Sequence, residues 1–231
     1  MGLRGPKPKR REVIWSPELA YAIGLITTDG SLSCDGRHLD FTSKDKEQIR
    51  ALMKCLDIKK IKITKKYAGI ARHGWAYRIQ WGDIFFYHFL EQIGLTSNKS
   101  KKIAKINIPQ KYFLDFLRGH FDGDGSFYSY FDPRWKSSFM FYLAFVTASK
   151  AHIIWIREEL KKLLGVTGHI TTSRGRFLFQ LKYAKKESLL VMNAMYSTTC
   201  PIHLSRKRLK IERALRIVGE SLLSGRKKST K

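Results

Sequence analysis

The chain has 231 residues, 43% of them hydrophobic and 13% aromatic, which is ample for a packed core and excludes general disorder. Its 44 Lys and Arg stand against 19 Asp and Glu, a net charge of +25 spread over both halves, so a polyanion such as nucleic acid is expected along the whole body. No uncharged apolar run of membrane-spanning length occurs, the first residues are polar and basic rather than a signal peptide, and Cys34, Cys55 and Cys200 have no metal-ligand spacing, so an intracellular protein without disulfides or zinc is expected.

Residues 1–13, with Gly2, Gly5, Pro6 and Pro8, read as a flexible basic arm. Ser16-Pro17 then signals a helix start, an N-cap followed by proline at the first helical position, and that helix runs to about Thr28. A hairpin follows, with a strand from Ser31, a turn at Asp35-Gly36 and a second strand through Leu39 and Phe41. Ser43 is expected to cap a helix whose apolar stripe is Ile49, Leu52, Met53 and Leu56. Lys60–Tyr67 and Trp75–Trp81 alternate as strands. In the second of these Trp75, Tyr77, Ile79 and Trp81 should face a core while Arg78 and Gln80 face away. A helix at about Ile84–Ile93 closes this first unit, residues 14–95. The lysine-rich segment 96–109 joins it to a second unit, residues 110–221.

The second unit repeats the order: a helix over 110–123, strands near 126–131 and 139–147, a helix from Ser149 to Leu164 stopped by Gly165, strands near 168–173 and 176–183, and a helix from about Lys185 to Met195. A last helix, His203–Glu220, opens with the basic cluster Arg206, Lys207, Arg208, Lys210, and residues 222–231 read as a disordered tail. The fold class is therefore α+β, two αββαββα units related by a pseudo-twofold axis.

The repeat is sharpest in two short stretches, Ala22–Gly30 (AIGLITTDG) and Leu117–Gly125 (LRGHFDGDG), each at the end of a helix and directly before a strand. Small residues four apart, Gly24 with Thr28 and Gly119 with Gly123, let two helix backbones approach closely, and Gly24 and Gly119 are the expected interface residues. Such packing would bring Asp29 and Asp124 together, each followed by a glycine expected to close its helix in the left-handed conformation. Paired carboxylates repel unless a cation lies between them, and Mg²⁺, which keeps waters and takes few protein ligands, suits the pair. Carboxylates are also unfavourable at a helix C-terminus, so their double occurrence argues against ordinary turn residues.

Leu117–Gly125 closely resembles the LAGLIDADG motif of homing endonucleases, and Ala22–Gly30 does so more loosely, with Thr27 at the first acidic position. The chain is similar to the single-chain, two-repeat form of that family over about residues 14 to 218. The resemblance implies a monomer whose antiparallel sheets form a saddle on double-stranded DNA. It implies site-specific, Mg²⁺-dependent phosphodiester hydrolysis, with Asp29 and Asp124 each serving one strand and the carbonyls of Thr28 and Gly123 as further metal ligands. Gln80 and Lys182, at matching positions on matching strands, would order water or stabilise charge. Lys60, Lys62, Lys66, Arg78, Arg176, Gln180 and Lys182 on the strand faces, with Arg206 and Lys207, form the candidate DNA surface. Their difference between the halves implies a long target with dissimilar half-sites. His120 and the tryptophans are expected to pack in the core. Two other functions stay open, an RNA-splicing maturase and a non-cleaving DNA-binding regulator on the same fold.

Overall fold

The computed structural model describes residues 13–67, 74–135, 137–172, 178–198 and 201–222. The basic arm over 1–12, Arg176 and the tail from residue 223 lie outside the described residues.

Helix α1 (Pro17–Asp29) starts where Ser16 Oγ accepts from the Leu19 amide at 3.1 Å, with Pro17 at its first position. Strands β1 (Gly30–Leu32) and β2 (His38–Ser43) form the hairpin, turned by Gly36 at φ +70°. Then come helix α2 (Lys46–Cys55), strands β3 (Thr64–Tyr67) and β4 (Trp75–Gly82), and helix α3 (Ile84–Gln92). The second unit holds α4 (Phe113–Asp124), β5 (Ser126–Phe131), β6 (Phe139–Thr147), α5 (Lys150–Leu164), β7 (His169–Thr172), β8 (Phe179–Ala184) and α6 (Lys185–Tyr196), followed by α7 (Ser205–Ile217). The strands form two antiparallel sheets of four, ordered β1-β2-β4-β3 and β5-β6-β8-β7, so the second sheet repeats the topology of the first.

Helices α1 and α4 pack along each other at the centre with no room for a side chain between them. A Cβ on Gly24 would lie 2.2 Å from the Phe116 carbonyl oxygen, and one on Gly119 would lie 2.1 Å from that of Tyr21. Around this seam α1 is buried from Leu19 to Thr27, which explains why its sequence is apolar nearly all round. The inner faces of both sheets join it in one core, with Leu39, Phe41 and Ile79 from the first and Phe141, Leu143, Phe145 and Leu181 from the second.

Several expectations are corrected. Gly30 and Gly125 are not left-handed: their φ values are −87° and −70°, in extended backbone. Glycine is needed there because a Cβ would meet the Ile26 carbonyl or the Phe121 carbonyl at 2.6 Å, as the chain turns directly from helix into strand. Ser43 does not cap α2, whose N-cap is Asp45. Only Thr64–Tyr67 of the stretch from Lys60 is strand, and all four residues are exposed, while Ile61 and Ile63 pack on the core from irregular backbone. Trp75 does not face the core: 43% exposed, it packs edge-on against Tyr77 under the Lys65 ammonium. Trp135 is 69% exposed at the β5–β6 turn.

His120 packs in the core, its ring 5.3 Å from that of His152. His152 meets the Ala104 carbonyl oxygen at 2.7 Å through Nδ1, and burial holds its pKa down to about 4. The fold thus binds fewer protons there than the unfolded chain, and this contribution to stability is present above the ordinary histidine pKa and lost as the pH falls to about 4. Asp29 and Asp122, whose carboxyls are raised, act in the opposite direction, so the diagnostic quantity is a difference between proteins. Relative to His152→Asn, which keeps a donor for Ala104, the wild type should lose about 3 kcal/mol between pH 7 and 4. Urea titrations of both proteins across that range measure it.

Candidate active site

Asp29 and Asp124 are the last residues of α1 and α4, and the close approach of the helices makes these ends abut. A Cβ on Gly123 would fall 1.9 Å from Thr28 Oγ1 and 3.0 Å from Asp29 Oδ2, so the backbone before Asp124 lies against the Asp29 carboxylate. Thr28 Oγ1 is turned back onto its own helix, donating to the Leu25 carbonyl at 2.9 Å.

Gln48, on α2, donates through Nε2 to Asp29 Oδ2 at 3.4 Å and accepts from Ser43 Oγ at 2.6 Å. Ser43 Oγ also accepts from the Asp45 amide at 3.1 Å. The hydroxyl expected to cap α2 instead aims the amide that meets Asp29. Asp29, Gln48, Thr42 and Ala76 line one open cleft, which links the carboxylate to the outward face of the first sheet.

Two lysines complete the centre. Lys99, in a 3-10 turn after α3, places its ammonium on the Gly30 carbonyl oxygen. Lys207, on α7, donates to the carbonyls of Phe121 at 2.6 Å, Gly123 at 3.0 Å and Gly125 at 2.6 Å. Gly30 and Gly125 are matching residues of the two motifs, so the end of each motif helix meets a buried ammonium at its negative pole. Burial lowers both lysines to about 8, against the nearby carboxylates that favour their charge.

Burial, and then the charge of Asp124, push Asp29 up to about 7, with Lys207, Lys99 and Gln48 offsetting part of this. Burial raises Asp124 as well, with Lys207 and Lys99 acting against it. Two ammonium groups thus stand against two carboxylates, and burial still disfavours the carboxylate charges. Among the described residues no group of three or more His, Cys, Asp or Glu converges, so the donors here are two carboxylates, backbone carbonyls and water, a set that fits Mg²⁺. The Gly123 carbonyl oxygen keeps a lone pair beside its lysine.

Asp122, the first acidic position of the second motif, serves the scaffold. Its Oδ2 accepts from the Tyr21 hydroxyl at 2.7 Å and from the Leu204 amide, just before α7, at 2.8 Å. It thereby fixes the start of the helix that carries Lys207, while Thr27, its counterpart, bonds its own helix at the Ile23 carbonyl.

The expected surface residues divide. Lys60, Lys62 and Lys66 are exposed, Gln80 is exposed on β4, and Gln180 and Lys182 are half-buried on β8. Lys99, Lys207 and Gln48 are the groups that reach the carboxylates, and Gln80 and Lys182 are not among them. Arg78 is held by Asp40 on the neighbouring strand, and Arg206 pairs with Asp45 at 2.7 Å, tying α7 to α2. Lys207 is not a surface contact, being buried against the end of α4. Lys99 and Lys207 follow their aspartates by 70 and 83 residues and appear in the sequence only as members of lysine-rich runs. No local signal singles them out. Replacing Lys207 by Met should cost on the order of 2–3 kcal/mol by leaving carbonyls without a donor, measurable by urea denaturation.

The family model described as the WhiA LAGLIDADG-like domain matches residues 19–108 and 113–212. Full-length DUF199/WhiA from Thermatoga maritima superposes with a TM-score of 0.55 at 18% identity, over 90% of this chain and 62% of that one, so the chain spans less than two thirds of that protein. The homing endonuclease I-WcaI bound to its DNA recognition sequence superposes with a TM-score of 0.61 at 16% identity, over 90% of this chain and 95% of that one. I-DmoI in complex with DNA and Mn gives 0.52 at 19% identity, over 80% and 98%. No curated protein matches by sequence. These likenesses to solved structures show the fold, a two-repeat α+β architecture. Among the described residues no helix is long and apolar enough to cross a membrane.

Proposed function

Because the chain belongs to the WhiA LAGLIDADG-like domain family, whose fold it shares with DNA-bound homing endonucleases, we propose that it binds double-stranded DNA through its two sheets and cleaves it with Mg²⁺ at a long, asymmetric site. The observation that carries the nuclease reading is the meeting of Asp29 and Asp124 at abutting helix ends, with Asp29 and Gly123 lining an open cleft and a buried lysine behind each helix end. Asp29 and Asp124, with the carbonyls of Thr28 and Gly123, would hold Mg²⁺. Bound there, the ion would supply an activated water and neutralise charge at the phosphodiester.

The chain's own groups do the rest. Ser43 holds Gln48, and Gln48 holds the Asp29 carboxylate towards the cleft. Lys99 and Lys207 place fixed positive charge beside the carboxylates, where it favours approach of a phosphate and stabilises the charge that develops on it. Abutting carboxylates, one per repeat, suit attack on both strands within one binding event.

A second reading, a non-cleaving DNA-binding regulator, is favoured by the WhiA-type match and by Lys207, which already occupies the Gly123 carbonyl. Incubation with a randomised duplex library and Mg²⁺, followed by sequencing of cut ends, separates the two. A discrete cleaved site supports the nuclease. Site-specific retention of uncut duplex, unchanged by Mg²⁺, supports the regulator, and selective retention of a structured RNA supports a maturase.

With charge spread through both halves, affinity for duplex DNA should fall steeply with salt, by roughly a thousandfold or more between 50 and 200 mM if six or more phosphates are contacted. Fluorescence anisotropy against salt measures the slope, and a flat response would count against a long phosphate-tracking interface.

A further inference from the structure

The lysines at the two motif ends are not equivalent. Lys99 comes from the 3-10 turn after α3 and, among the described residues, donates to the Gly30 carbonyl oxygen alone. Lys207 comes from α7 and grips three carbonyls, those of Phe121, Gly123 and Gly125. Gly123 directly precedes Asp124, and its counterpart in the first motif is Thr28, directly before Asp29. Lys207 therefore holds the backbone oxygen before its aspartate, at 3.0 Å, whereas Lys99 holds the oxygen after its own. The repeat breaks at this point because neither lysine belongs to it.

Lys207 is also fixed from behind. It is 9% exposed, and its ammonium lies 5.1 Å from the centre of the Phe121 ring. The start of α7 is pinned to both units. The Leu204 amide donates to Asp122 at 2.8 Å, the Ser205 amide to Glu47 at 3.1 Å, and Arg206 pairs with Asp45 at 2.7 Å. Moving the ammonium aside would leave a buried charge without its partners. Of the two lysines it also exerts the larger field on both Asp29 and Asp124. A divalent ion using the second lone pair of the Gly123 oxygen would share that oxygen with a fixed positive charge, and like charges at such range repel.

We propose that Lys207 is a resident cation that weakens metal binding on the Gly123 side, so that the two repeats hold Mg²⁺ unequally and the stronger position is the one served by Thr28. This rests on the reading of the two aspartates as metal ligands. Two repeats alike in topology would thus present unequal centres to the two strands of a duplex.

The test counts metal ions on the full chain without DNA, using Mn²⁺ and the electron paramagnetic resonance signal of the free ion. The double variant Asp29→Asn with Asp124→Asn gives the background. Above it, the wild type should take up one Mn²⁺ about tenfold or more tightly than a second. Lys207→Met should bring the second ion to within about threefold of the first. Lys99→Met removes an equal charge but leaves Lys207 in place, and should keep the two apart. Should Lys207→Met fail to fold, Lys207→Gln replaces it, because the amide keeps a donor for these carbonyls without the charge, and the gap should again narrow. Two ions of equal affinity in the wild type, or a gap that closes equally in both lysine variants, overturns the proposal and leaves the metal reading standing. A gap that persists in the folded Lys207 variant also overturns it. Uptake no greater than that of the double variant overturns the metal reading beneath it as well.

Discussion

Asp29→Asn and Asp124→Asn should each leave a folded protein that binds its duplex and no longer cuts both strands, with the rate lowered by roughly a hundredfold or more. Asparagine keeps the size of the side chain and, at position 29, an oxygen for Gln48, but removes the charge that would hold the metal. Binding should hold or tighten slightly, because a negative charge near the phosphates is gone. The expectation extends to stability: burial and the neighbouring carboxylate already disfavour the Asp29 charge, so in chelator Asp29→Asn should melt no lower than the wild type at pH 8. Supercoiled and linear substrates carrying the selected site, run with each variant, report nicking and double-strand cutting separately. Double-strand cleavage that survives both substitutions would remove the two-carboxylate site, and with it the nuclease reading built on it.

Gly24→Ala and Gly119→Ala should each destabilise the fold by about 3 kcal/mol or more, at the upper end of overpacking substitutions. The added methyl in either variant would meet a backbone carbonyl of the facing helix at 2.2 or 2.1 Å. No rotamer can relieve a clash between a Cβ and a backbone oxygen, so α1 and α4 would have to separate along the seam that also positions Asp29 and Asp124. Cleavage should therefore fall even where the variant stays folded. Gly165→Ala is the control: it has φ +69° and nothing within 4 Å of its missing Cβ, and should cost about 1 kcal/mol from backbone strain alone. Urea denaturation of the three variants compares them directly, and equal, small losses would show that the two helices are not in contact at these glycines.

The sequence by itself determined the repeat, the order of elements and the two aspartates. Each is written locally: Ser16-Pro17 at a helix start, Gly165 at a helix end, two-residue alternation in β4 and β8, and a small-xxx-small pattern followed by Asp-Gly at 95-residue separation. Local periodicity is a property of neighbouring residues, so it survives without knowledge of the fold. What only the tertiary structure decided depends on contacts between residues far apart in the chain. Glycine at 30 and 125 could be read as a left-handed cap, yet its reason is the carbonyl four residues earlier and the abrupt turn into a strand. Ser43 has the residue type of a cap, but Gln48 and the position of Asp29 draw its hydroxyl into the site. Arg78 reads as a free base-reading side chain until Asp40 is placed beside it on the next strand. Lys99 and Lys207 are indistinguishable in sequence from their basic neighbours. They become part of the centre because the ends of α1 and α4 offer carbonyls and two carboxylates in one place, and a buried ammonium is stable only where such partners surround it.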